Sequence, residues 1–493
     1  MVLYLEKLLI SLGAVSIFGV CSCSFTLGIS SSNEEKDSSK DSSTTSNVSS
    51  SVLEEGKTQE ELYEEIFNPT SKVEINLDFT NQAIYKLAKY SSDEYKKEMY
   101  HPCKMEVNLN GRIYTFDEVG ARMKGNSSRN ENFVDENGKF RAPIHLKLSL
   151  KQTFDDSSDN DYYVRSWEDK EERSKRKNRL FANQQKFDLK WNKESDLTFT
   201  KQIYAYDAFA NEGIFAQHVN LVKVNIKSES DTLTQTYQLM ETIDKDFLKK
   251  RLSKDEAKGN LYKSTYTNMG PASLTKDSIS KIGVESPNYH PSYDLKTNDK
   301  EPNHSILENL INTVNDDKSA AETFKTTLDS LIEVDQILKY QAMCWVMGNP
   351  DDSRNNSNNY YIYFNSKTNK MSFIPYDFDR CLGILKDWEI HMENIPYNYT
   401  HQELGSSNKE QPNPLLWRLI IEDKNSSKSK SYPVIKEYKE RYESYCISFA
   451  NKYLDVDRFN AFSSQFHLSN SNKDNANNLS FSQYAKAKLS TIK

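Results

Sequence analysis

Residues 348–383 gather most of the side chains in this chain that could do chemistry. Asp351 and Asp352 are followed by Asn355, Asn356, Asn358 and Asn359, and Asp377 and Asp379 come one hairpin later. Carboxylates of this kind serve as general bases or as hard ligands for a divalent ion. Mg²⁺ needs only one or two of them, because phosphate and water oxygens complete its octahedron. The amide of Asn359 or Asn358 coordinates without adding charge. The same composition suits a solvated turn between strands. A calcium loop is a further possibility, although the regular Asp/Asn spacing and the position-six glycine of an EF-hand are missing.

The flanking pattern says how these residues are presented. Leu331, Val334, Leu338, Ala342 and Trp345 recur at helical spacing, which predicts a helix that runs into Gly348 and is stopped by Gly348 and Pro350. Residues 360–364 read as a strand, 365–370 as a turn and 371–375 as the returning strand, which delivers Asp377 and Asp379. Both acidic loops then open at the same end of the hairpin. A loop aspartate, an asparagine, a two-strand excursion and a second aspartate is the order in which protein kinases place the catalytic base and the two Mg²⁺ ligands.

The first half of the chain is rich in strands. Residues 73–79 alternate with period two, 81–90 read as a helix, and 105–114 form a hairpin through Asn110-Gly111. Gly125, Asn126, Ser127 and Ser128 then separate one strand from a second in which Ile144, Leu146 and Leu148 alternate with polar residues. Backbone N–H groups of such a turn make an anion site, and an ordinary hairpin end would look the same. Residues 152–183 are mostly charged and polar and read as a surface insertion. Asp196 is placed to cap a helix lined by Phe199, Ile203, Tyr206 and Phe209 and stopped at Gly213. A further hairpin spans 219–226 and 234–241, and a short basic helix spans 244–252. Glu241 and Lys263, taken singly, read as surface charges. Beyond residue 301 the chain reads as helical, with helices opening at Pro412 and over 432–453.

The N-terminus differs in kind. Residues 8–20 are apolar and lead into Cys21-Ser22-Cys23, which resembles a bacterial lipobox with Cys23 as the lipidated residue; uncleaved, the run would serve as a short membrane anchor. Residues 1–23 therefore read as a lipoprotein-type signal peptide or anchor, and 24–60 as a Ser-rich tether that cannot bury enough surface to offset chain entropy. The expectation is an extracytoplasmic domain held at a membrane. The remaining roughly 430 residues are too many for one small core and suffice for a two-lobed enzyme or two domains. Composition is globular at 37% hydrophobic and 12% aromatic. A net charge of −7, with no basic stripe, argues against a nucleic-acid partner. Cys103, Cys344, Cys381 and Cys446 have no CxxC spacing, so a structural zinc is not indicated and no disulfide framework follows.

Taken together, Met123-Lys124-Gly125-Asn126-Ser127-Ser128, the strand ending in Leu146-Lys147-Leu148, Glu241-Thr242-Ile243-Asp244, Gly259-Asn260-Leu261-Tyr262-Lys263, Asn349-Pro350-Asp351, Asn359-Tyr360-Tyr361 and Ile374-Pro375-Tyr376-Asp377-Phe378-Asp379 resemble the CotH family of atypical kinases. The resemblance implies an α+β, divergent two-lobed protein-kinase-like fold, with a strand-rich lobe over 61–300 and a mainly helical lobe over 301–493. It implies transfer of phosphate from ATP, with Mg²⁺ or Mn²⁺, to Ser or Thr of a protein substrate. Asp351 then matches the catalytic aspartate, and Asn359, Asp377 and Asp379 the metal ligands. ATP binding falls to Gly125, Asn126, Ser127, Ser128, Arg141, Lys147, Glu241 and Lys263. Family members commonly carry a lysine pair where this chain has Arg141-Ala142, which divides the phosphate-holding role among Arg141, Lys147 and Lys263. The alternative is a weakly active or inactive surface binding or adhesion protein on the same scaffold. Oligomeric state and any spore role do not follow from the sequence.

Overall fold

Period-two alternation makes the first half a barrel. In β1 (Val73–Asp78), Val73, Ile75 and Leu77 turn inward while the residues between them are half-buried. β2 (His101–Leu109), β3 (Arg112–Met123), β4 (Leu146–Ser149), β5 (Lys186–Trp191), β6 (Val219–Lys227) and β7 (Thr232–Glu241) follow, and the seven strands close in the order β1-β2-β3-β4-β5-β7-β6. All neighbours are antiparallel except at the seam, where β6 runs parallel to β1 from Glu74 opposite Lys223 to Asp78 opposite Lys227. The Asn110-Gly111 turn joins β2 and β3 with both residues at positive φ, 52° and 88°. The interior is filled by Ile75, Leu77, Val107, Leu146, Leu189 and Val224 among others. The structure is a computed structural model that describes residues 57–90, 99–125, 128–156, 162–286, 288–384, 390–399, 413–417, 419–421, 435–468 and 477–492. The expected signal segment and Cys23 lie outside these residues.

A second sheet carries the candidate loops. β8 (Leu261–Ser264), β9 (Ile282–Gly283), β10 (Tyr293–Leu295), β11 (Tyr360–Phe364) and β12 (Met371–Pro375) pair in the order β12-β11-β8-β10-β9. The sheet thus draws strands from both sides of residue 300. β11 is buried on both faces: Tyr360, Ile362 and Phe364 join the large helical core, whereas Tyr361 and Tyr363 pack with Ile374, Tyr376, Ile243 and Phe247. That explains its unbroken run of large apolar side chains.

The helices are α1 (Gln59–Ile66), α2 (Asn81–Lys89), α3 (Lys170–Lys177), α4 (Lys201–Asn211), α5 (Lys245–Arg251), α6 (Ser305–Val314), α7 (Ala321–Leu331), α8 (Val334–Met347), α9 (Pro414–Trp417), α10 (Lys436–Tyr453), α11 (Val456–Ser463) and α12 (Phe481–Leu489). α+β is therefore the observed class, with the closed barrel as a feature that strand spacing alone did not announce. α3, in the expected insertion, buries none of its residues. Leu331 ends α7 rather than starting α8, because the backbone between them turns extended at Ile332. Asp196 accepts the Lys201 N–H from four residues before the helix cap, Thr200, whose own side chain makes no capping bond. No helix among the described residues is long and apolar enough to cross a membrane. Cys103, Cys344, Cys381 and Cys446 are buried and free.

α8 is almost wholly buried and is tied to the second sheet by Gln336, which both donates to and accepts from the Phe373 backbone. It ends where the sequence says, at Gly348 in the left-handed region with φ 59°. A Cβ there would lie 2.1 Å from the Tyr484 hydroxyl oxygen, and that hydroxyl is itself held by the Val346 carbonyl at 2.9 Å. Gly348→Ala should therefore destabilise the fold by about 1–3 kcal/mol from conformational strain and displacement of Tyr484. Urea unfolding of the variant beside the parent checks this, and an unchanged midpoint would show that the end of α8 is not a fixed point.

Candidate functional site

The loop after α8 is built from its own asparagines. Asp352 accepts the N–H groups of Arg354 and Asn355 at 2.9 and 3.1 Å, folding the chain back on itself. Asn355 then donates to the Asn349 carbonyl at 2.8 Å and accepts from Tyr399 at 3.0 Å. Asn349, Asp352, Ser353, Arg354, Asn355 and Ser357 are all buried, so a run whose composition would suit a solvated turn is interior structure. Its purpose is visible at Asp351. One carboxylate oxygen accepts from Asn356 and Asn358 at 2.7 and 3.1 Å, and the other accepts from Asn359 at 2.9 Å. Burial pushes the Asp351 carboxyl above its ordinary value, with the Asn356 and Asn358 amides acting against that and the Asp377 charge adding to it.

A single asparagine joins this loop to the second one. Asn349 accepts the Asp351 N–H at 3.0 Å and donates to the Asp377 carbonyl at 3.2 Å. Asn359 and Asp377 both hold φ of 56°, a conformation that Asn and Asp tolerate better than other side chains do. The backbone turns sharply at both positions, directly before β11 and after β12.

Opposite these loops stands the outer face of the barrel. Register places Arg122 beside Lys147, Lys147 beside Asp188, and Lys190 two residues beyond Asp188 on the same face of β5. Lys190 forms ion pairs with both Asp377 and Asp379, at 2.8 Å for the latter. Its own burial would depress the ammonium, yet the two carboxylates raise it above its ordinary range. Burial would raise Asp377, and Lys190 holds it at about 2. Asp379 goes the other way: burial, the Asp377 charge and Glu194 outweigh Lys190 and push it up to about 6. Glu194 is paired with Arg380 at 3.0 Å. Beside this group, Lys124 and Lys147 share Asp188, and Lys124 and Lys263 lie over the Tyr376 ring at 5.3 and 5.1 Å from its centre.

The expected residues divide accordingly. Asp351, Asn359, Asp377 and Asp379 are brought to one region, and Lys147 and Lys263 line it. Gly125, at φ 106°, and Ser128 form a tight turn directly after Lys124, so tight that a Cβ on Gly125 would meet Ser128 Oγ at 1.8 Å. Asn126 and Ser127 lie outside the described residues. Arg141 is not brought in: its side chain is 59% exposed and faces Asp135 at 3.6 Å, and the neighbouring Phe140 N–H is tied to Asp231 at the far β6–β7 turn. Glu241 is not brought in either. It stands opposite Phe187, on the barrel-interior face that alternates with the face of Asp188, where Arg251 and Lys250 take up its carboxylate. Sequence reasoning missed Lys190, Lys124 and Asp188. The alternation Lys186-Phe187-Asp188-Leu189-Lys190 was the available signal, since it puts an acid and two lysines on one face of a strand.

Among the described residues no group of three or more His, Cys, Asp or Glu side chains is disposed to hold a metal ion. Two carboxylates within reach of one ammonium, plus an amide, nevertheless fit Mg²⁺, which keeps most of its shell for water and phosphate. Asn359 spends its amide nitrogen on Asp351, leaving the amide oxygen as the atom it offers.

The fold and this region define an α+β protein in which Lys190, buried, and the half-buried Lys124, Lys147 and Lys263 stand beside a carboxylate and amide cluster. The chain belongs to the CotH family: a family model described as CotH kinase protein matches residues 156–461. The match covers the second sheet, both acidic loops and β5, though not Lys124 or Lys147. No curated protein matches the chain.

Asp188 is one carboxylate of the region whose charge the fold favours. Burial would raise its carboxyl, but Lys124 and Lys147 lower it from 3.8 to about 2. A depressed folded-state value means stabilisation that is present above the ordinary carboxylate value and is lost as pH falls through the folded one. Asp188→Asn should therefore lower stability by about 2 kcal/mol at pH 6, with the difference narrowing as pH falls from 4 toward 2. Denaturant unfolding of both proteins across that range checks it, and a pH-independent difference would assign the loss to packing instead.

Proposed function

We propose that this protein is an atypical kinase that transfers the γ-phosphate of ATP to a Ser or Thr hydroxyl of a protein substrate. The observation that carries the reading is the Asn349 link, which sets a carboxylate with a raised pKa, Asp351, beside the Asp377 and Asp379 pair. In this reading the barrel and the helical half act as the two lobes of a kinase-like fold, with the nucleotide between them. Asp377 and Asp379, with the Asn359 amide oxygen, would hold Mg²⁺ or Mn²⁺. The ion would supply neutralisation of the phosphates and of the charge that develops as they separate.

The chain's own residues do the rest. Lys147 and Lys263 bind phosphate oxygens as point charges, and Lys124 adds to the field from the Tyr376 side. The three amides on Asp351 fix the direction of its carboxylate without neutralising it, and the oxygen held only by Asn359 keeps a free lone pair for an incoming hydroxyl. That hydroxyl oxygen bonds to the γ-phosphorus as the bond to the β,γ-bridging oxygen breaks. The hydroxyl proton passes to Asp351, leaving ADP and a phosphoester. We further propose that residues 1–23 direct export, with lipid attachment at Cys23 and residues 24–60 as the tether, so that the substrate is an extracytoplasmic protein.

The test is transfer of labelled γ-phosphate from ATP by the full chain, with Mg²⁺ or Mn²⁺, to itself and to a Ser-rich protein. Asp351→Asn should reduce transfer by about a hundredfold or more while keeping thermal stabilisation by Mg²⁺-ATP, and Asp377→Asn should lose both. Absence of transfer together with absence of stabilisation would end the kinase reading and favour a surface binding protein on this scaffold.

A further inference from the structure

Lys190 is rooted in β5, its side chain is only 11% exposed, and both of its ion pairs are to Asp377 and Asp379. One ammonium nitrogen therefore sits between the two carboxylates proposed as metal ligands. The other lysines of the region touch other groups: Lys124 and Lys147 pair with Asp188, with Lys124 acting on Asp377 only through space, and Lys263 lies over Tyr376. Arg380, next in sequence to Asp379, is held by Glu194. Lys190 is thus the counter-charge to this pair, and a divalent ion on the same oxygens must compete with it.

We propose that Lys190 is an exchangeable placeholder for the metal, which makes loading of metal and nucleotide mutually dependent. The proposal rests on the reading of Asp377 and Asp379 as metal ligands. A divalent ion that takes the two carboxylates leaves the Lys190 ammonium unpaired in a largely buried position, which opposes metal binding by itself. Phosphate oxygens of the nucleotide supply the missing partner. Each ligand therefore raises the affinity of the other, by the same factor in either direction. The role of Lys190 follows from its two contacts: it neutralises the acidic pair in one state and holds phosphate in the other.

The experiment titrates the full chain with Mn²⁺ alone, following free Mn²⁺ by electron paramagnetic resonance, for the parent, Lys190→Met and Lys190→Arg. Removing the competing charge should let Lys190→Met bind Mn²⁺ about tenfold or more tightly than the parent, within the range typical of coupled sites. Lys190→Arg, which keeps a cation there, should stay near the parent, and Lys190→Met should bind a non-hydrolysable ATP analogue more weakly. Equal Mn²⁺ affinity in the parent and Lys190→Met would overturn the placeholder role while leaving Asp377 and Asp379 as a metal site. Failure of every form to bind Mn²⁺, with or without the analogue, would remove the metal-site reading and this inference with it. A second measurement needs no variant: amine-reactive labelling of Lys190, read by peptide mass spectrometry, should rise on adding Mn²⁺ and fall again when the analogue joins it. Labelling that Mn²⁺ leaves unchanged or lowers would also overturn the proposal.

Discussion

One ammonium group ties the two sheets together. Lys190 rises from the outer face of the barrel, and the carboxylates that receive it stand just past the end of β12. Buried ion pairs add little net stability compared with apolar packing, yet removing one partner leaves a charge that the interior tolerates poorly. The neighbourhood is arranged around that constraint. Lys124, Lys147 and Lys190 meet Asp188, Asp377 and Asp379, three cations against three anions in a largely buried region. The strands that carry the lysines are fixed by barrel register, and the loop that carries Asp377 is fixed by Asn349 and by a left-handed backbone turn. Charge balance and geometry are thus specified by the same few residues.

The asparagine run has a related explanation. A lysine or arginine on Asp351 would hold its carboxyl low, whereas an amide donates hydrogen bonds without bringing a charge. Asparagine also both donates and accepts, so Asn349 and Asn355 can bridge backbone groups within a segment that has almost no regular structure. It also tolerates positive φ, which Asn359 uses. Most of its buried amides find a neighbour of the right kind, whereas one Asp352 oxygen, the Ser353 hydroxyl and two Arg354 nitrogens find no hydrogen-bond partner among the described residues.

The hairpin at residues 360–375 was legible to the residue, because a run of aromatic and β-branched side chains was bounded by strong turn formers. The end of α8 at Gly348 was equally plain. Other features depended on register. Glu241 ends a strand as expected, but whether it faces the acidic loops or the barrel interior turns on a single step of alternation, and the step runs inward. Arg141 was chosen for its place in the order of motifs, and the intervening loop carries it to the β6–β7 end of the barrel. For Lys190 the strand alternation fixes the face but not what that face meets. A lysine on a strand reads as solvated until its neighbours are known, and its neighbours come from a loop nearly two hundred residues later, as the separation of 187 shows. The parallel seam between β1 and β6 left no local trace at all.

That seam has a consequence for how the chain reaches its native state. On its β6 side Glu74 is paired in register with Lys223, so β1, β2 and β3 can form an antiparallel meander early while one long edge of β1 stays unpaired. A chain made from its N-terminus must carry that edge until β6 emerges, and an open strand edge invites pairing with the wrong chain. Closure over such sequence separation is intrinsically slow. The polar residues on the outer side of β1, Glu74, Asn76 and Asp78, keep that waiting edge soluble, and two of them later receive Lys223 and Lys227 from β6. The same charges that discourage premature partners therefore recognise the correct one.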